Sequence, residues 1–122
     1  MAKRVLIADD EPNIVASLEF LMEQAGFEVK VAANGKEALD LVASFRPDLL
    51  ILDVMMPEMN GYEVCQRLKS DPATRAVRVV MLSAKGRDVE VAKGLELGAD
   101  AYVTKPFSTR ELVAKVREML AG

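Results

Sequence analysis

The chain has 122 residues, with 16 lysines and arginines against 19 aspartates and glutamates and no histidine. One domain spanning 1–122 can bury a real core at that length without disulfides or a structural metal, and a net charge of −3 offers no basic patch for nucleic acid or an anionic membrane. Imidazole catalysis and histidine-ligated metals are excluded, while the single Cys65 rules out an internal disulfide and fits a reducing cytoplasm.

Met1-Ala2-Lys3-Arg4 leads straight into the strand-like run Val5 to Ala8, which argues against a signal peptide, and no apolar stretch is long enough to insert into a membrane. Asp9, Asp10 and Glu11 follow that run. A first helix is predicted to open at Pro12 and end at Gly26, with Ile14, Val15, Leu18, Leu21, Met22 and Ala25 at helical spacing. Val29 to Ala33 reads as a second strand, and Asn34 with Glu37 as the capping box of a second helix. Leu49 to Leu52 is apolar at consecutive positions, the pattern of a strand buried on both faces, and Asp53 closes it. A third helix carries Cys65, expected in the core, and the loop methionines Met55, Met56 and Met59 are expected to pack rather than to bind metal through sulfur.

Val77 to Leu82 forms the fourth strand and ends at Ser83. The fourth helix, Arg87 to Leu97, is less regular. Its spacing places Asp88, Val91, Ala92 and Leu95 inward and Val89, Lys93 and Leu97 in an outer stripe, with Gly94 weakening it by about 1 kcal/mol. That combination suggests a loosely held helix partly available to partners, with simple scatter in a short surface helix as the alternative. Gly98 ends it, Ala101 to Thr104 makes the fifth strand, and Ser108 with Glu111 caps the last helix. Short β-branched runs alternating with helical patterns predict an α/β fold of βαβ units around a parallel sheet.

In such a sheet, ligands gather at the carboxyl ends of the strands. If strands one and three are neighbours, Asp9, Asp10 and Asp53 converge there. Two carboxylates about 5 Å apart repel by roughly 3 kcal/mol at an effective dielectric of 20, so the three must take up protons or bind a cation. With oxygen donors alone, that cation is hard: Mg²⁺, with Mn²⁺ as a substitute. The blander alternative is that Asp9 and Asp10 cap the first helix and Asp53 starts a turn. Ser83 and Lys105 stand at two further strand ends. A hydroxyl and an ammonium facing a metal-bound carboxylate suit a phosphoryl group in transfer, with the carboxylate as nucleophile.

The motifs Val5-Leu6-Ile7-Ala8-Asp9-Asp10-Glu11-Pro12, Leu52-Asp53-Val54-Met55-Met56-Pro57-Glu58-Met59-Asn60-Gly61, Leu82-Ser83-Ala84 and Tyr102-Val103-Thr104-Lys105-Pro106-Phe107 together resemble the receiver domain of bacterial two-component response regulators, over essentially the whole chain. The resemblance implies a doubly wound, five-stranded parallel sheet of flavodoxin-like order 2-1-3-4-5 with helices on both faces. It implies Asp53 as phosphoacceptor, and Asp10, Asp9 (largely through water), Asp53 and the Met55 backbone carbonyl as Mg²⁺ ligands. Ser83 and Lys105 would contact the phosphoryl group, with a cis Lys105-Pro106 bond. Ser83 and Tyr102 would form a switch that alters the helix 4, strand 5 and helix 5 face; otherwise Tyr102 is a half-buried strand residue with its hydroxyl in solvent. By the same resemblance, Met55 and Lys85 fall at the positions where such domains tune dephosphorylation, and neither suits water activation, which implies slow loss of phosphate.

The implied partners are a sensor histidine kinase or phosphotransfer protein as donor, and a downstream protein target or an output domain outside these residues. Dimerisation driven by phosphorylation occurs in related proteins. Such a domain catalyses its own phosphorylation and dephosphorylation and turns over no independent substrate. A haloacid-dehalogenase-like phosphatase fits poorly, since it needs an acid where Met55 stands. A flavodoxin-like cofactor binder fits poorly too, because Asp9-Asp10-Glu11 replaces its phosphate loop. A receiver-like module that binds partners without phosphorylation remains as the alternative.

Overall fold

The computed structural model describes residues 2–56, 58–84 and 88–121, with side chains described from Glu90 onward in the last segment. Five strands alternate with five helices: β1 Arg4–Ala8, α1 Pro12–Gln24, β2 Glu28–Ala32, α2 Gly35–Phe45, β3 Leu49–Asp53, α3 Gly61–Ser70, β4 Arg78–Ser83, α4 Asp88–Glu96, β5 Ala101–Thr104 and α5 Thr109–Leu120. The sheet is parallel, in the order β2-β1-β3-β4-β5.

Strand side chains alternate between two apolar layers. Leu6, Ala8, Leu50, Leu52, Val79 and Met81 belong to the layer shared with α2 and α3. Val5, Ile7, Leu49, Ile51, Val80 and Leu82 belong to the layer shared with α1 and α5. Because β1 and β3 are covered on both faces, their sequences are apolar throughout rather than alternating. The outermost β2 is correspondingly less buried.

The predicted caps form. Asn34 Oδ1 accepts the Glu37 amide at 2.8 Å, and Ser108 Oγ accepts the Glu111 amide at 3.2 Å. Asn60, which the sequence reading passed over, caps α3 by accepting the Glu63 amide at 3.0 Å. Cys65 is buried, and burial pushes its thiol up to about 11.

Helix α4 is turned differently from its predicted orientation. Ala92 and Leu95 point outward, Leu95 with 47 % of its surface exposed, while Leu97 packs against the core. Gly94 is the cause. It forms the close approach to the sheet, where a Cβ would fall 2.9 Å from Met81 Sδ, so positions spaced three residues from it turn inward. The outer apolar stripe through Leu97 therefore does not exist. Arg87 lies outside the described residues, as do the side chains of Asp88 and Val89.

Candidate functional site

β1 and β3 pair directly, Ala8 opposite Leu52, so the acids that follow β1 meet the acid that ends β3. One oxygen each from Asp9, Asp10 and Asp53 lies within 4.8 Å of the others. Asp9 and Asp53 are almost fully buried, 2 % and 3 % exposed, whereas Asp10 faces solvent.

The two buried acids divide their oxygens in the same way. Asp9 Oδ1 accepts the Glu11 amide at 2.8 Å, and Asp53 Oδ1 accepts the Met55 amide at 3.1 Å. Their other oxygens face a single ammonium, Lys105 Nζ, at 3.3 Å from Asp9 Oδ2 and 3.4 Å from Asp53 Oδ2. Asp53 thus does start a turn, as the blander sequence reading had it, whereas α1 receives no side-chain cap and Asp9 instead accepts the Glu11 amide just ahead of it. Lys105 makes a third and shorter contact, 2.6 Å to Glu11 Oε1, which the sequence reading did not single out.

Burial, with Asp9 beside it, pushes the Asp53 carboxyl up to about 6 despite the Met55 amide and Lys105. Burial also works against the Lys105 charge, but Glu11, Asp53 and Asp9 together outweigh it and hold the ammonium above the ordinary lysine range. The donor set contains carboxylate oxygens and, in a chain without histidine, no imidazole. Two repelling buried carboxylates with an exposed third at their edge fit a hard divalent ion.

Neighbouring strands bring up the remaining candidates. Asp53 pairs with Leu82, which places the fully buried Ser83 one step further along the same edge. Ser83 pairs with Thr104, and its carbonyl accepts the Lys105 amide at 2.7 Å. The Lys105-Pro106 bond is cis. Gly61, at the start of α3, lies where a Cβ would fall 2.6 Å from the Asp53 carbonyl oxygen, so only glycine lets the helix close on this strand end. Tyr102 is half-buried against the core, and its hydroxyl lies 3.5 Å from that of Tyr62 rather than in open solvent.

Of the loop methionines, Met56 is buried and Met59 packs on the core as expected. Met55 does not; its side chain is left 57 % exposed because its amide turns back to Asp53. Pro57 and Lys85 lie outside the described residues. Among the described residues, no helix is long and apolar enough to cross a membrane.

Residues 5–117 match the family described as response regulator receiver domain. The DNA-binding response regulator MtrA of Mycolicibacterium smegmatis is 46 % identical over 120 residues, which are 98 % of this chain and 51 % of that protein. The alkaline phosphatase synthesis transcriptional regulatory protein PhoP of Bacillus subtilis is 43 % identical over 98 % of this chain and 49 % of its own length. This chain therefore spans about half the length of the curated relatives it matches. Among solved structures, a putative response regulator from Chloroflexus aurantiacus superposes with a TM-score of 0.92 at 38 % identity, covering 100 % of both chains.

Proposed function

This chain belongs to the response regulator receiver domain family, and we propose that residues 1–122 act as one phosphorylation-dependent signalling switch with Asp53 as the phosphoacceptor. The observation that carries this reading is the shared arrangement of Asp9 and Asp53. Each fixes its backbone with one oxygen and turns the other toward Lys105, with Asp10 beside them.

The donor is a phosphohistidine on a sensor kinase or phosphotransfer protein. An Asp53 oxygen forms the new O–P bond as the P–N bond breaks, and the electron pair remains on the imidazole nitrogen. Asp9, Asp10, Asp53 and the Met55 carbonyl would hold Mg²⁺ or Mn²⁺, which when bound neutralises charge on the transferring oxygens. Lys105 supplies a fixed ammonium to the same oxygens, and Ser83 supplies a hydroxyl from the adjacent strand end. A cleft of about 500 Å³ lined by Ile14, Ala84, Pro106 and Phe107 opens beside Lys105 and gives the donor an approach.

Movement of Ser83 toward the phosphoryl group would let Tyr102 rotate, altering the α4–β5–α5 face that a downstream protein or output domain reads. That face includes a second cleft, of about 660 Å³, lined by Tyr102, Phe107 and Lys115. The same surface is where a phosphorylation-dependent dimer would form. The domain works on its own carboxylate, as a switch and not as an enzyme with a separate substrate, and a cytoplasmic location fits its single buried thiol.

The deciding experiment is intact mass after incubation with acetyl phosphate, with and without Mg²⁺, beside Asp53→Asn. A metal-dependent gain of one phosphoryl group, absent in the variant, is expected. No gain with either acetyl phosphate or a phosphohistidine donor would leave a partner-binding module.

A further inference from the structure

Glu11 stands at the N-cap of α1, yet its side chain accepts no hydrogen bond from that helix. Asp9 Oδ1 takes the Glu11 amide instead, which fixes the backbone while the Glu11 carboxylate crosses to the end of β5. There it makes the shortest of the three Lys105 contacts, 2.6 Å against 3.3 Å to Asp9 and 3.4 Å to Asp53.

An ammonium has three N–H donors. Two of them hydrogen-bond Asp9 Oδ2 and Glu11 Oε1, while Asp53 Oδ2 lies at 3.4 Å as an ion pair, so Lys105 turns fully to a phosphoryl oxygen on Asp53 only as one of those two bonds yields. The Asp9 side chain is 0 % exposed and cannot be rehydrated cheaply, whereas the Glu11 side chain is 54 % exposed. Glu11 is therefore the partner that leaves.

We propose that Glu11 is a positioning residue that holds Lys105 away from the acceptor and must be displaced before Lys105 can engage the phosphoryl group. The inference rests on the phosphoacceptor reading of Asp53. Glu11 thus sets how readily the site loads, biasing the domain toward its unphosphorylated form until a donor with enough free energy arrives. Because Glu11 lies at the start of α1, the same displacement frees a carboxylate beside the cleft that faces the donor.

The test uses the full chain, Glu11→Gln and Glu11→Asp, with Mg²⁺ alone and then Mg²⁺ plus beryllofluoride as titrants in calorimetry. Acetyl phosphate labelling is followed by mass in parallel, and a thermal melt confirms folding. Glu11→Gln is expected to bind beryllofluoride and to label about 3–10-fold better, while its affinity for Mg²⁺ alone stays within about twofold. Glu11→Asp keeps the charge but falls a methylene short of Lys105, and is expected to behave like the glutamine variant. Unchanged or slower loading in Glu11→Gln overturns the proposal, as does a parallel fall of roughly tenfold in Mg²⁺ affinity, which would make Glu11 a servant of the metal. Wild-type behaviour in Glu11→Asp also overturns it, because charge alone would then explain the effect. Failure of the wild-type chain to load at all would instead remove the phosphoacceptor reading, and this inference with it.

Discussion

Gly94 and Tyr102 meet so closely that a Cβ on the glycine would fall 2.9 Å from Cδ2 of the tyrosine ring. The ring occupies the space a side chain on α4 would need, and its hydroxyl lies beside that of Tyr62, which also donates to the Glu90 carbonyl at 3.3 Å. Gly94 is thus a seat for the ring as well as a weak point in the helix. Gly94→Ala would recover about 1 kcal/mol of helix propensity but would crowd the ring and Met81, at a cost of about 1–3 kcal/mol. A net loss of stability in urea unfolding is expected, together with displaced Tyr102 ring signals in NMR. A stabilised variant with unmoved signals would mean that the methyl is accommodated without displacing the ring.

The raised Asp53 carboxyl makes the metal-free protein sensitive to pH in a definite direction. Its value in the fold, about 6, lies above the ordinary 3.8 because of burial and then Asp9. The folded state therefore holds this proton more tightly than the unfolded chain does. The resulting stability is complete below about pH 4 and is lost as pH rises through 6. In EDTA, unfolding at pH 7.5 should be easier than at pH 5 by on the order of 1–1.5 kcal/mol from this group, because the unfolded carboxyl is already largely ionised at pH 5. Asp53→Asn should flatten that dependence, and Mg²⁺ should restore stability to the wild type at pH 7.5. A wild-type profile as flat as the variant's would count against a strained carboxylate pair.

These contrasts follow the line between what local sequence encodes and what only packing decides. The apolar run Leu49 to Leu52 announced a doubly covered strand, so Asp53 at its end was legible as more than a surface charge, and the caps Asn34 and Ser108 were legible from their glutamates three residues on. Glu11 was not, because its partner Lys105 is 94 residues away and either solvent or the helix would have been an ordinary destination for its carboxylate. The α4 orientation was misread because Leu95 and Leu97 are equally apolar; only the closeness of Gly94 to Met81 and Tyr102 selects between them. The Asn60 cap was hidden in a loop whose methionines draw attention to packing.

Lys105 is held at both ends of its residue, which separates two effects of its removal. The backbone amide bonds the Ser83 carbonyl at 2.7 Å and keeps the strand end in place, while the side chain alone reaches the carboxylates. Lys105→Ala should therefore fold and still gain a phosphoryl group from acetyl phosphate with Mg²⁺. The response should be lost, with the NMR shifts of Tyr102 and Leu112 that beryllofluoride induces in the wild type falling to a small fraction. A full response in Lys105→Ala would remove the lysine from the signalling step and leave it only a role in neutralising Asp9 and Asp53.

On the proposed reading, Met55 is expected to influence how long the switch stays on. Its amide is committed to Asp53 Oδ1, which leaves its thioether projecting into solvent beside the acceptor, 57 % exposed. A thioether is a weak acceptor and cannot align or deprotonate water for attack on the phosphoryl group. Lys85, the other residue placed to do so by the sequence, carries no carboxylate or amide. The phosphorylated form should therefore decay over minutes or longer, as followed by intact mass after removal of the donor. Met55→Glu puts an oxygen acceptor at the same exposed position without disturbing a buried contact, and should shorten the lifetime by roughly tenfold. Decay of the wild type within seconds would show that water is activated by a group other than these two. A Met55→Glu lifetime equal to the wild type's would show that this position does not reach the attacking water.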